Sequence, residues 1–307
     1  IYDHLGGGFH RYSTERTWTV PHFEKMLYDN AQLVELYSEA YALDPRPEYK
    51  RVVAETLAFV RREMTAPEGG FYSALDADSN EKEGEFYVWT ADEIARVLGN
   101  DADAALVKAV YGVSAPNFEE KFHILRLPKP LAEVAKDRKL TEAELLAKLD
   151  PLKKKLFDAR ATRERPFLDT KVIAAWNGQM IAGYAKAAQV FGNKEWAQAA
   201  AAAADFVLTK MRTPSRKGEP PAGSPLNPLP SDGRLYRIYA AAPGEKPAPK
   251  GAAFLDDYAY LAHGLLNLHD ATGDKKWADA AKGLTDAAVQ FYGDPVGGGF
   301  YFTASDG

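Results

Sequence analysis

Apolar positions recur three and four residues apart along Leu33, Leu36, Tyr37, Ala40 and Tyr41, the spacing of one face of an α-helix. The run that opens this stretch occurs three times: Asp29-Asn30-Ala31-Gln32-Leu33-Val34, Trp176-Asn177-Gly178-Gln179-Met180-Ile181 and Asp257-Tyr258-Ala259-Tyr260-Leu261-Ala262. Fourteen residues after Ala31, Gly178 and Ala259 stand Pro45, Gly192 and Gly273, residues that stop a helix. Eighteen residues after them stand Tyr49, Trp196 and Trp277, an aromatic each time. The pattern predicts helix, short turn, helix, with amphipathic second arms over Tyr49–Met64, Trp196–Met211 and Trp277–Phe291.

Glycine and aromatic residues punctuate these units. Gly69-Gly70-Phe71-Tyr72 and Gly297-Gly298-Gly299-Phe300-Tyr301 follow two second arms, and Gly6-Gly7-Gly8-Phe9 is a third copy. Glycine runs permit positive φ, so each copy suits a tight β-hairpin. After the remaining pair comes a Pro/Gly-rich loop, Thr213–Pro230, and a strand-like stretch, Gly233–Tyr239. Repeat spacing places a degenerate unit around Ala104–Phe122. Thr90-x-x-Glu93 and Thr141-x-x-Glu144 read as capping boxes at helix starts. Helical pairs with hairpins at one end point to an all-α chain, a partial or complete (α/α)6 toroid forming a single domain over 1–307. An open helical solenoid serving as a scaffold is the alternative. Its repeats rarely carry glycine-aromatic hairpins.

Composition narrows the function classes. Lys and Arg total 38 against 43 Asp and Glu, a net charge of −5 with no basic block. Nucleic acid and anionic membranes are therefore poor partners. Zero cysteines exclude disulfides, thiolate metal sites and thiol nucleophiles within these residues. No apolar run reaches the ~18 residues a membrane helix needs, and no signal peptide is evident, so the cytoplasm is assigned by default. The chain opens without Met and stops inside a hairpin pattern, which suggests a piece of a longer protein.

Two long motifs, Ile1-Tyr-Asp-His-Leu-Gly-Gly-Gly-Phe-His-Arg-Tyr-Ser13 and Val20-Pro-His-Phe-Glu-Lys-Met-Leu-Tyr-Asp-Asn30, resemble the signature of the spermatogenesis-associated protein 20 family, also described as thioredoxin-domain-containing proteins of the YyaL type. Gly69–Asp78, Phe86–Thr90, Asn117–Glu119, Ala175–Gly178 and Phe254–Tyr260 extend the match over nearly the whole chain. The resemblance implies a thioredoxin-like domain followed by a six-hairpin, glycosidase-like toroid. Only part of the toroid is expected here, in agreement with the missing cysteines. Thr170 stands where the family pattern has a second acid after Asp169, which puts a role for that position in doubt. Fold follows from the resemblance more firmly than reaction.

In a toroid, inner-helix ends and hairpin loops face a common cavity, so polar residues there are the candidates. Asp76 and Asp78 share strand parity and fit the carboxylate pair of a glycosidase, one acid and one base or nucleophile. Glu81, Glu83 and Glu85 beside them read as surface. Asp76-x-Asp78-x-Asn80 begins like a calcium loop, but Glu81 replaces the required glycine, and neither a metal nor another cofactor is assigned. A second cluster is His22, Glu24 and Asp29 with His10 and Arg11. Pro21 suits a helix start, which would set His22, Met26 and Asp29 on one helical face. A third is Asp256-Asp257-Tyr258, with Trp176-Asn177 at the equivalent place; a helix cap by itself accounts for one of those two acids. Phe9, Tyr12, Trp18, Tyr72, Trp89, Trp176, Tyr258 and Tyr260 supply aromatic planes for sugar stacking, about half of them expected in the core.

Three functions compete. A glycoside hydrolase would draw two carboxylates from Asp76, Asp78, Glu24, Asp256 and Asp257, with His22 beside them and His10, Arg11, Trp18, Tyr72, Trp176, Asn177 and Tyr258 binding sugar. A sugar epimerase resembling N-acylglucosamine 2-epimerases would use histidines, with His10, His22 or His263 as candidates. A toroid without activity would bind a glycan or a partner. An incomplete ring would also expose a terminal face, from which self-association is expected.

Overall fold

The computed structural model describes residues 1–213, 234–242 and 244–305. Among them run ten helices: α1 (Leu27–Leu43), α2 (Pro47–Glu63), α3 (Ala91–Leu98), α4 (Asp101–Val110), α5 (Leu131–Asp137), α6 (Glu142–Arg160), α7 (Ala174–Phe191), α8 (Lys194–Lys210), α9 (Leu255–Thr272) and α10 (Lys275–Tyr292). Strands are two to five residues long and serve the turns. The chain divides into two compact units, one of Ile1–Met26 with Leu75–Leu168, the other of Leu27–Ala74 with Asp169–Gly307.

The second unit contains the three repeats as the helical hairpins α1/α2, α7/α8 and α9/α10. Gly192 and Gly273 end the first arms of the latter two at φ 67° and 69°, the left-handed conformation that closes a helix without side-chain strain. Asn193 and Asp274 then cap the following arms through their side chains, and α2 starts on Pro47. Helix α7 packs against both α1 and α9, so it is buried nearly all round from Ala174 to Ala188. Small residues permit that approach. A Cβ on Gly264 would stand 2.3 Å from the Gly178 carbonyl oxygen, and one on Gly178 would stand 2.5 Å from the Leu261 nitrogen.

Each repeat closes in the same way. The C-terminal carbonyls of Met64, Met211 and Tyr292 accept the N–H of Tyr72, Tyr236 and Tyr301 at 2.7, 2.8 and 2.7 Å. Bridges Thr65↔Phe71, Arg212↔Leu235 and Gly293↔Phe300 lie beside them, and Tyr2↔Phe9 with His10 N–H on the Ile1 carbonyl repeats the pattern in the first unit. Most of the proline-rich loop expected over Thr213–Pro230, and Gly233 after it, lies outside the described residues. The strand-like stretch is Tyr236–Ala240, paired antiparallel with Ala248–Ala252 and with Val172–Ile173.

In the first unit, Thr90 and Thr141 form the expected capping boxes of α3 and α6. Ile94, Leu98, Val107, Val110, Leu145, Leu149 and Leu156 fill its core. The degenerate pair expected around Ala104–Phe122 is displaced. Short α3 and α4 make that pair, and the chain from Tyr111 to Phe122 is irregular, closed by the bridge Phe118↔Phe122. Gly99, at φ 78°, stops α3 before a full arm can form. No helix among the described residues is long and apolar enough to cross a membrane.

Candidate active site

The segment from Pro21 to Met26 is extended, with the short strands Pro21–His22 and Lys25–Met26, and is not a helix start. Pro21, Phe23 and Lys25 are buried while His22 and Glu24 are half-buried, a period of two. Pro21–His22 pairs antiparallel with Tyr12–Ser13, and α1 begins only at Leu27. The expected helical face of His22, Met26 and Asp29 therefore does not exist. Lys25 hides the alternation in the sequence, because a lysine seldom occupies a buried position. Here its ammonium donates to Asp3 Oδ2 and the Gly7 carbonyl, both at 2.8 Å. Arg160 adds a bidentate pair to the same carboxylate, with both contacts at 2.9 Å. Burial would push the Asp3 carboxyl upward, but Arg160 and Lys25 hold it well below the usual carboxylate range.

On the accessible side of this strand His22 stands between two carboxylates. Its Nδ1 lies 2.7 Å from Glu83 Oε1 and its Nε2 lies 3.2 Å from Glu24 Oε2. Arg11 donates to Glu24 at 3.0 Å, and the Tyr12 ring stacks on the imidazole with centroids 5.0 Å apart. A neutral imidazole donates from one nitrogen only, whereas ionised carboxylates only accept. Of the two contacts the one to Glu83 is a hydrogen bond, and the ring turns its other nitrogen toward Glu24.

Glu83, read from the sequence as surface, belongs to this constellation. Its Oε1 also lies 3.4 Å from the Phe23 N–H, and its Cα pairs with that of Asp78 across the hairpin Asp78–Ser79 and Lys82–Glu83. Asp76 and Asp78 do share a face, as their parity requires. It is the exposed face, since Leu75, Ala77 and Ser79 take the buried one. The Asp76 carboxylate accepts the Asp78 N–H at 3.3 Å. Trp18 is 66% exposed, and His10 is buried with Nδ1 against the Phe23 carbonyl at 2.9 Å. Burial first, then Lys25, pushes the His10 imidazole well below its ordinary value.

The remaining candidates lie in the second unit, where three of them are structural. Asn177 is fully buried. Its Oδ1 accepts the Phe71 N–H at 2.8 Å, and its Nδ2 donates to the Phe71 and Ile173 carbonyls at 3.0 Å. Tyr258, at the same place in the next repeat, accepts the Leu235 N–H on its hydroxyl at 3.0 Å. Both side chains fasten a hairpin to the following helix and leave no surface for sugar. Asp257, also fully buried, accepts the N–H of Ala175 and Phe254 and pairs with Arg237 at 3.0 Å. Burial pushes its carboxyl up to about 6 against those donors. It caps two helices and is closed to a substrate. Asp256 meets Arg237 at 3.3 Å, Trp176 packs edge-on to Tyr28, and Tyr72 is half-buried. His263 on α9 reaches Glu35 on α1 at 2.9 Å. Of the aromatic planes, Phe9, Trp89 and Tyr258 are core, whereas Tyr12, Trp18 and Tyr260 are open. Among the described residues no three His, Asp or Glu side chains gather as a metal would require.

No family model matches the chain. Among solved structures, cellobiose 2-epimerase from Spirochaeta thermophila superposes with a TM-score of 0.54 at 14% identity, covering 99% of this chain and 52% of that one. The fold is that of the glycosidase-like (α/α)6 toroids. An uncharacterized protein of Caenorhabditis elegans is 32% identical over 92% of this chain and 40% of its own length. Spermatogenesis-associated protein 20 of Homo sapiens is 35% identical over 100% of this chain and 40% of its own length. The motifs around His10 and His22 thus sit in a sequence homologous throughout to spermatogenesis-associated protein 20, and the chain stands in that family as a segment matching 40% of the length of its named members.

Proposed function

We propose that this chain carries the acid–base site of a carbohydrate-active enzyme, with His22 as the proton-transferring group and Glu24 and Glu83 as its partners. The observation that carries the reading is the imidazole held between two carboxylates, half-buried and open to solvent on one edge. A carboxylate on one nitrogen orients the ring, and the other nitrogen is then placed to give or take a proton. Arg11 and the exposed Tyr12 ring are suited to hydroxyls and to the C–H faces of a sugar ring.

Two reactions fit. Epimerisation beside a carbonyl needs an oriented base and a proton donor, and a histidine-centred site supplies both. That one solved structure of similar fold is a cellobiose 2-epimerase is in keeping with this reading. Hydrolysis would use Glu24 and Glu83 directly. His22 stands between the two carboxylates, so epimerisation is the better reading.

The test is incubation of the chain with cellobiose, glucose and mannose in deuterated water, with reducing ends assayed alongside on an oligosaccharide panel. Deuterium entering an unbroken sugar is expected, with a loss of about 100-fold or more in His22→Gln and Glu83→Gln. New reducing ends abolished by the same substitutions would favour hydrolysis. Binding without either signal would make the chain a glycan-binding toroid and end the enzymatic reading.

A further inference from the structure

The strand that presents His22 on one side lines a cavity with its other side. Pro21 and Phe23 form part of a space of about 40 Å³ bounded also by His10, Trp18, Thr19 and Arg126. His10 is 5% exposed. A carbonyl oxygen only accepts, so the contact with Phe23 puts the hydrogen on Nδ1 and leaves a lone pair on Nε2 of the neutral ring. Among the described residues Nε2 meets no hydrogen-bond partner. Burial favours that neutral form. An acceptor without a protein partner thus belongs to a side chain that lines the cavity, and a donor entering the cavity could satisfy it.

Trp18 stands in the wall of the same cavity, 66% exposed and at φ 58°, a left-handed conformation unfavourable for a bulky residue. The loop holds it there by design of its own contacts. The Glu15 carboxylate accepts the N–H groups of Thr17, Thr19 and Val20, and Arg126 donates to Thr19 Oγ1 at 3.2 Å. A loop fixed in advance presents the exposed indole as stacking area at little further cost in backbone entropy.

We propose that His10 and Trp18 form a saccharide subsite separate from the His22 constellation: a sugar hydroxyl donates to His10 Nε2 while the C–H face of the ring rests on the Trp18 indole. A cavity of about 40 Å³ admits a hydroxyl or hydroxymethyl group and excludes a ring. The ring therefore stays outside, on the indole. This inference rests on the carbohydrate reading, but it requires binding only, not turnover.

The experiment uses the full chain with 15N-labelled histidine and long-range 1H–15N correlation spectra, titrated with cellobiose, glucose and mannose. The expected result is an Nδ1–H tautomer of His10 from pH 5 to 8, with the Nε2 resonance moving on addition of at least one sugar. Trp18→Ala, at an exposed position, should weaken that binding at least tenfold with Tm unchanged. A reversed tautomer, a protonated ring at pH 7, or Trp18→Ala binding like the parent chain overturns the proposal. So does an unmoved Nε2 resonance with sugars that the His22 site turns over. A moved resonance with no turnover of any sugar supports the subsite and counts against the enzymatic reading alone.

Discussion

At the scale of single residues, side chains that look alike in sequence divide by what they touch. Asn177 and His22 both read as polar residues at a cavity end. One is fully buried with its amide oxygen and both amide hydrogens engaged, the other is half-buried with a carboxylate near each ring nitrogen. Removing a buried partner strands the groups it served. Asn177→Ala should therefore cost about 2–4 kcal/mol of unfolding free energy, because it frees the N–H and carbonyl of Phe71 together. Urea denaturation followed by circular dichroism measures this, and a loss below about 1 kcal/mol would show that water replaces the amide. His10, Arg11, His22 and Glu24 are legible as a site because they sit close together in the chain. Glu83 is not, because it meets His22 across 61 residues and only the hairpin at Asp78–Glu83 brings it there.

At the scale of elements, the repeat sets where helices start and stop, while side-chain ties decide how they pair. His263 on α9 pairs with Glu35 on α1, with Glu39 and Lys186 also facing it, and Asn267 packs against the same ring. The hydrogen bond to Glu35 raises the imidazole above its ordinary value, more than burial lowers it. A raised value in the folded state gives stability that is complete below about pH 6.5 and fades as pH rises through the folded value. The urea midpoint of the parent chain should thus exceed that of His263→Gln at pH 5.5, and the gap should shrink by pH 8.5. A gap independent of pH would mean that packing, not charge, is what the substitution removes. Helix periodicity, Gly192, Gly273 and the two capping boxes are all readable in sequence, since each acts within a turn of its own position. The start of α1 misleads for the opposite reason. Pro21 carries a helix-start signal, but burial of Phe23 and Lys25 on alternate positions overrides it.

At the scale of the whole molecule, each unit is held by interactions between distant segments. In the first unit Asp3, Lys25 and Arg160 join the N-terminal stretch to the end of α6. All three are nearly fully buried, and two cations face one anion. The Arg160 guanidinium also lies over the Phe86 and Tyr87 rings at 5.1 and 5.4 Å, which offsets part of the imbalance. Breaking such a group leaves charge without compensation. Asp3→Asn, which strands both buried cations, should lower stability by about 3–5 kcal/mol, whereas an exposed pair such as Lys154 with Asp158 should contribute about 0.5 kcal/mol. Comparison of the two by denaturant unfolding checks the ranking, and equal effects would place the buried triad among ordinary surface pairs.

What the amino-acid order determines by itself here is local: three helical hairpins, their glycine stops, their capping boxes and the glycine-aromatic closures, all set by periods and contacts within about one helical turn. Family resemblance is legible in the same way, from contiguous motifs. Tertiary structure alone decides which polar residues remain open. It seals Asn177, Asp257 and Tyr258 into hairpin and helix anchors, turns Asp76 and Asp78 outward, and sets Glu83 against His22. The physical reason is that a polar group buried on folding must find its partner wherever the chain supplies one, and that partner is often more than 60 residues away.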